Sequence, residues 1–202
     1  VGFGMYGDFG SMLDYGNDWS GRYFVDEAAL LGISLVPSVA YRLNDQWSMG
    51  VGLRAMNGYM NTQLAVDNTP RDLTDFNDGK AEFEDDAWGY GGNAGVIFQP
   101  QAGTRIGLAY TSRVDLDFED NFSIKGVQIS GTGAGGALSD AALTDAFNRL
   151  NGTTTKVDMR VPQTVTLSAF HQLNERWALL ASTNWQDWSE FGEVGVKLEL
   201  DQ

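Results

Sequence analysis

Apolar side chains alternate with small or polar ones, at a period of two residues, through segment after segment of this chain. In 104–119 most alternate positions are apolar: Ile106, Leu108, Tyr110, Val114, Leu116 and Phe118. Because successive side chains of a β-strand point to opposite faces, this pattern predicts a strand with one apolar and one polar face. The alternation recurs in 28–43, 47–59, 86–99, 158–172 and 176–188. Together with the terminal segments, which also have strand character, this alternation predicts an all-β protein of about seven strands.

The connections between the predicted strands are alternately short and long. The short ones are 44–46, 100–103 and 174–176, and the long ones are about 11–27, 62–85 and 120–157. In an antiparallel up-and-down meander, successive connections lie at opposite ends of the sheet, so every short turn falls at one end. Short turns at one end and long loops at the other are typical of transmembrane β-barrels.

Aromatic residues form two bands on the apolar face. One band lies beside the short turns: Tyr41, Trp47, Phe98 and Trp177. The other lies near the long loops: Tyr59, Trp88, Phe118 and Trp185. Alternation alone also fits a soluble barrel with its apolar face inside. The sorted loops and the paired bands favour a transmembrane barrel, in which Leu35, Val51 and Leu108 face lipid.

Charged residues lie on the other face of the same strands. They are Arg42, Arg54, Arg105, Arg113, Asp115 and Asp117. Because a charge on the lipid face is costly, we expect these side chains to face the lumen and to pair across neighbouring strands. A role in ion selectivity is the alternative interpretation.

One segment has helical rather than strand periodicity. Residues 139–150 begin with Ser139, a suitable N-cap, and Gly152 follows as a stop signal. Leu143, Phe147 and Leu150 fall on one face of this short helix, which lies in the longest loop. The helix either packs that loop or forms part of an entry site for an apolar ligand.

Composition excludes several classes of function. The chain has no cysteine, and its single histidine, His171, has no nucleophile in reach within its own strand, so we predict no enzyme and no cofactor. The net charge of −14 disfavours nucleic acid as a partner. The carboxylates of the loop at 62–86 could bind Ca²⁺, but their spacing matches no EF-hand template, so we favour a solvated loop and predict no metal site.

Five stretches resemble the FadL/TodX family of outer-membrane transporters for long-chain fatty acids and aromatic hydrocarbons. They are PSVAYRLNDQWSMGVG (37–52), AWGYGGNAGVIF (87–98), RIGLAYTSR (105–113), VPQT (161–164) and WQDWSEF (185–191). Each motif alone is modest, but all five occur in the family's order. The resemblance implies a barrel of about 14 strands that is closed by an N-terminal hatch. It also implies passive transport, with capture between long external loops and exit through a gap in the wall.

By this resemblance, residues 1–202 form a single barrel segment without the hatch and the later strands, and we expect a piece of a longer protein. The predicted function is an outer-membrane channel for passive uptake of long-chain fatty acids or other hydrophobic compounds in a bacterium. The partners are then a hydrophobic small molecule and lipid or detergent. The expected early ligand contacts are Leu138, Leu143, Phe147 and Leu150.

Two points stay open at this stage. A structural or adhesive barrel without a transport role is the alternative function. In addition, a sheet of about seven strands has two open edges, which cannot face lipid unpaired, so an isolated fragment is expected to self-associate through them.

Overall fold

The computed structural model describes residues 1–16, 18–66, 78–121, 123–125, 154–190 and 195–199. Its strands are β1 (Gly2–Asp14), β2 (Glu27–Arg42), β3 (Trp47–Val66), β4 (Gly79–Gln101), β5 (Thr104–Thr111), β6 (Val114–Asn121), β7 (Ser123–Lys125), β8 (Thr154–Val161), β9 (Thr164–Gln172), β10 (Ala178–Gln186) and β11 (Gly195–Glu199). A 3-10 helix, η1, spans Trp188–Glu190. The predicted helix at 139–150 lies outside the described residues. Among those residues, none of the helical segments has the length and hydropathy to cross a membrane.

The main sheet is a curled antiparallel wall that makes up about half of a barrel, which confirms the predicted fold class. Its strand order is β1-β2-β3-β4-β5-β9-β10, and β7 pairs with the far end of β4. Each short turn joins two neighbouring strands at the same end of the wall. On the described residues β1 and β10 are the outer strands, and self-association through their edges stays a prediction.

Asparagine side chains shape two of the short turns. The Asn44 side-chain oxygen accepts hydrogen bonds of 2.9 Å from the backbone N–H groups of Gln46 and Trp47. The Asn174 oxygen does the same for Arg176 and Trp177, at 2.9 and 3.0 Å. An asparagine that caps its own turn in this way fixes the chain reversal locally. The repeated Asn-x-x-Trp spacing therefore also places Trp47 at the first position of β3 and Trp177 directly before β10.

Two strands that the alternation predicts as continuous are each divided in two. Residues 104–119 form β5 and β6, with Ser112 and Arg113 between them. Residues 154–172 form β8 and β9, with Pro162 and Gln163 between them. Pro162 has no N–H to donate to a ladder, which favours an interruption there. At the break, Ser112 N–H donates to the Gly92 carbonyl and Gly92 N–H donates to Ser112 Oγ, both at 2.8 Å.

Beyond these breaks, β6, β8 and β11 form a second sheet in the order β11-β8-β6, which folds over the inner face of β3 and β4. Val114, Leu116 and Phe118 of β6 are fully buried there, at 0% exposure. The interpretation that these three side chains continue the lipid-facing row is therefore wrong. The break after Thr111 is the reason, because it separates β6 from the main wall and turns its apolar row inward.

Glycines on the wall make room for the second sheet. A Cβ atom at Gly89 would lie 2.4 Å from both the Asp115 carbonyl oxygen and Val114 Cγ1. A Cβ atom at Gly58 would lie 2.7 Å from Leu116 Cδ1. The resulting core consists of Met56, Phe83, Ala87, Val114, Leu116, Phe118, Val157 and Met159.

The outer face of the wall is apolar and exposed, as the alternation predicts. Val51 and Leu108 are 54% and 48% exposed, and Leu53 and Tyr90 are exposed by nearly three quarters. Leu35 of the same row is half-buried. Near the short turns, the rings of Trp47 and Phe98 stack with centroids 4.4 Å apart. The inner face is defined by the buried side chains of Ser34, Arg54 and Met56.

Candidate ligand-binding site

Small side chains cover the inner face of the wall in its short-turn half. One cross-strand row runs through Ala40, Gly50, Gly95 and Ala109, on four neighbouring strands. A groove of about 440 Å³ lies along this face, and none of the described residues that line it is charged. Apart from Ile97, the inner-face side chains that line the groove are small or polar, which leaves an open, uncharged passage on the wall.

A second cavity, which we call the inner pocket, lies between the start of the wall and the end of the second sheet. Its volume is about 310 Å³. It is lined by Tyr6, Asp8, Phe9, Leu30, Arg54, Thr111, Met159, Val161, Pro162, Thr164, Gln186 and Trp188. Thr111 lines both cavities, so the inner pocket adjoins the groove. An apolar cavity with a few polar groups is the usual form of a small-molecule site.

An irregularity in β1 brings two of the pocket residues inward. The pairing of β1 with β2 shifts by one residue between Gly7 and Phe9, so Asp8 has no partner in the ladder. Such a bulge re-aims the side chains beside it. Phe9 then lies over Gly32, where a Cβ atom would be 2.6 Å from the ring. Gly32 therefore provides the space in which the Phe9 ring lies against the wall.

Asp8, Ser34 and Arg54 form a closed polar cluster at one side of the inner pocket. Arg54 Nη2 donates to Asp8 Oδ1, and Ser34 Oγ donates to Asp8 Oδ2. Arg54 Nε donates to Ser34 Oγ at 2.9 Å. The side chains of Arg54 and Asp8 are only 4% and 9% exposed. The two opposite charges therefore compensate each other in a site that holds little water.

The other residues of the predicted lumen-facing set lie outside the inner pocket. Arg42 donates to the Asn44 and Asp45 carbonyl oxygens at the short-turn end. Arg105 lies over the Phe170 ring, 5.9 Å from its centroid, at the same end. Of the six predicted lumen charges, only Arg54 lines the inner pocket.

Arg113, Asp115 and Asp117 lie away from the inner pocket, on the exposed side of the second sheet. Asp115 pairs with Arg113 at 3.8 Å and with Arg160 at 3.4 Å. The break at Ser112 separates these three residues from the wall strand β5, and their lumen position stays a prediction. The predicted ligand contacts Leu138, Leu143, Phe147 and Leu150 lie outside the described residues, and their role stays a prediction.

The connection between β1 and β2 packs against the long-loop end of the wall. Arg22 Nε donates to Asp78 Oδ2 at 2.7 Å, and this hydrogen bond raises the pKa of Arg22. Ala65 N–H donates to the Arg22 carbonyl at 2.9 Å. Trp19 Nε1 donates to the Val25 carbonyl at 3.0 Å. These contacts hold the connection against the long-loop end of the wall.

Acidic residues form no candidate metal site within the described part of the chain, where no three metal-binding side chains converge. Residues 67–77 of the acidic loop lie outside that part.

Comparisons of the sequence and of the fold with known proteins point to one family. The family described as "Outer membrane protein transport protein (OMPP1/FadL/TodX)" matches residues 1–202. The "Long-chain fatty acid transport protein" of Escherichia coli is 24% identical over 100% of this chain and 48% of its own length. "Outer membrane protein P1" of Haemophilus influenzae is 28% identical over 98% of this chain and 45% of its own. The chain thus spans about half the length of these relatives.

Solved structures show the same fold. A Pseudomonas aeruginosa FadL homologue matches with a TM-score of 0.76 at 21% identity, over 97% of this chain and 47% of that one. The Ralstonia pickettii toluene transporter TbuX matches with a TM-score of 0.64 at 19% identity, over 93% of this chain and 51% of that one.

Proposed function

We propose that this chain, which belongs to the OMPP1/FadL/TodX family of outer-membrane transport proteins, forms part of a channel wall for passive uptake of hydrophobic compounds. The protein is a β-barrel protein of the bacterial outer membrane. Its family members are transport channels rather than enzymes. The compound class is hydrophobic small molecules, which includes long-chain fatty acids and hydrocarbons.

One observation carries the proposal: the same wall has an apolar outer face and, on its inner face, a pocket that continues into a groove. The exposed row with Val51, Leu53 and Leu108 suits contact with lipid tails. The inner pocket offers apolar surface from Phe9, Leu30 and Met159. A hydrophobic compound that leaves water for such a surface gains about 25 cal/mol per Å² of buried area. Uptake into the pocket therefore needs no energy source.

The groove gives the compound a way out of the inner pocket. From Thr111, which lines both cavities, the groove runs across the neighbouring strands along the row of Ala109, Gly95 and Gly50. Small residues leave the groove wide and without charge, so a ligand meets no strong polar group along it. We propose that the ligand contacts four residues before it reaches the inner pocket: Leu138, Leu143, Phe147 and Leu150.

Narrowing the groove tests the proposal. We expect Gly95→Trp to lower uptake of a radiolabelled hydrophobic compound at least about tenfold, because the indole fills the passage. Its neighbour Ala94→Trp is the control, since Ala94 is exposed on the outer face and its replacement leaves the groove open. Uptake is measured in cells that produce the protein from its own gene, after folding is verified by heat-dependent gel migration.

Two results would contradict the proposal. If Gly95→Trp and Ala94→Trp take up the compound equally well, the groove is not the path. If cells with and without the wild-type protein take it up equally, the chain has no transport role, and a structural or adhesive barrel becomes the better interpretation.

A further inference from the structure

We propose that the inner pocket selects uncharged hydrophobic compounds over carboxylates, because Asp8 already neutralises the cation that lines it. This inference rests on the proposed function and specifies the chemical class of its ligand. Among the described residues that line the pocket, Arg54 is the one cation and Asp8 the one anion. A ligand therefore meets a site without net charge.

The donors of Arg54 that the structure shows in use are taken by partners within the cluster. Its Nη2 is held by the Asp8 carboxylate, and its Nε by Ser34 Oγ at 2.9 Å. Ser34 in turn donates to the second oxygen of Asp8. A ligand carboxylate that takes over the Arg54 Nη2 donor must displace Asp8, and this would leave a buried carboxylate without its partner. The cluster thus resists the exchange that recognition of a carboxylate requires.

The remaining polar groups of the pocket are neutral. Tyr6, Thr111, Thr164 and Gln186 carry hydroxyl or amide groups, which suit a ligand hydroxyl or carbonyl. Asp187 lies between the lining residues Gln186 and Trp188 in the sequence, and its side chain carries a negative charge, like that of Asp8. Bringing a carboxylate into this environment costs its hydration without a compensating cation. Aromatic hydrocarbons, phenols and alcohols incur no such penalty, and a cavity of about 310 Å³ is large enough for a two-ring compound.

Two ligands of nearly the same shape test this selectivity: naphthol, which is neutral at neutral pH, and naphthoate, which is an anion. Binding to the detergent-solubilised protein is measured from ligand fluorescence. For the wild type we expect naphthol to bind at least about tenfold more tightly than naphthoate. In Asp8→Asn, Arg54 loses its counter-charge, so naphthoate affinity should rise about tenfold or more while naphthol affinity stays unchanged.

Asp45→Asn is the matched control, because Asp45 is an exposed aspartate that also pairs with an arginine, Arg42, at 3.5 Å. It should leave both affinities unchanged. Gln186→Lys is a second test that keeps the ion pair intact. It adds an unpaired cation to the lining, so it should also raise naphthoate affinity, and it remains informative if Asp8→Asn does not fold.

The outcomes separate the two proposals. Equal affinity of the wild type for naphthol and naphthoate overturns the selectivity, and so does an unchanged ratio in the folded variants. If the wild type binds neither compound, the proposed function itself fails, because the pocket then takes no hydrophobic ligand at all.

Discussion

The short-turn and long-loop halves carry the same alternating sequence pattern, but β6 in the long-loop half uses it in the opposite way from the strands of the short-turn half. In the short-turn half, the apolar row through Val51 and Leu108 is exposed on the outer face, and small residues cover the inner face. In the long-loop half, the apolar row of β6 is buried inside, and its charged row, with Asp115 and Asp117, is exposed. The period of two is identical in both, so it identifies a strand without identifying which face meets lipid.

The halves differ in what lies next to β4: a paired wall strand in one half and the second sheet in the other. In the short-turn half, Gly95 has Ala109 as its partner on β5, and the wall is continuous. In the long-loop half, Gly89 has no strand partner from β5, and β6 lies above it instead. The apolar row of β6 then has a dry surface to pack against inside the wall. The short-turn half thus forms the wall and the passage, whereas the long-loop half forms the core that frames the inner pocket.

The largest expected effect compares one leucine from each half. Leu116→Ala should lower the free energy of unfolding by about 2 to 5 kcal/mol, because the side chain is fully buried and leaves a cavity. Leu53→Ala should cost less than Leu116→Ala, since Leu53 is 73% exposed on the outer face and its replacement leaves no cavity. Urea unfolding in detergent, followed by tryptophan fluorescence, measures both. Equal losses would mean that the two halves are packed alike.

A smaller effect is expected from two glycines on the inner face of β4. Gly89→Ala should cost about 1 to 3 kcal/mol, because its Cβ atom would meet the Asp115 carbonyl at 2.4 Å and the second sheet must shift. Gly95→Ala is the matched change in the short-turn half, where the nearest atom is 3.4 Å away. It should change stability by less than about 0.5 kcal/mol. If Gly89→Ala changes the free energy of unfolding as little as Gly95→Ala does, β6 does not pack closely on the wall.

The sequence predicts the wall because its signals are local. Alternation gives the strands of the short-turn half and their faces, and the turn residues Asn44 and Asn174 give their connections. The division of 104–119 is not predictable in this way, because Arg113 keeps its place in the polar row and a single polar residue in the apolar row, Ser112, does not by itself end a strand. The tertiary contact with Gly58 and Gly89 decides it. Pro162 is the one local signal of the break, in the neighbouring strand.

The sequence predicts only part of the candidate site. It indicates Arg54, because a charge in an alternating strand of a membrane barrel is expected to face inward. It does not indicate the partner Asp8, since a bulge that the local pattern does not reveal shifts the register of β1 between Gly7 and Phe9. The pocket residues Met159, Pro162 and Trp188 come from the second half of the chain, and only the fold brings them to β1. A site whose residues are far apart in the sequence forms no local motif with a recognisable spacing.

The smallest expected effect tests whether local turn chemistry stabilises the short-turn half. Asn174→Ala removes the oxygen that accepts hydrogen bonds from the N–H groups of Arg176 and Trp177, so it should lower the free energy of unfolding by about 1 kcal/mol. Asn184→Ala is the control on the adjacent strand, where the exposed side chain caps no turn, and it should cost less than about 0.5 kcal/mol. Unfolding in urea again gives both values. Equal costs would indicate that the wall depends on its lipid-facing contacts rather than on its turns, and the contrast between the two halves would then rest on packing alone.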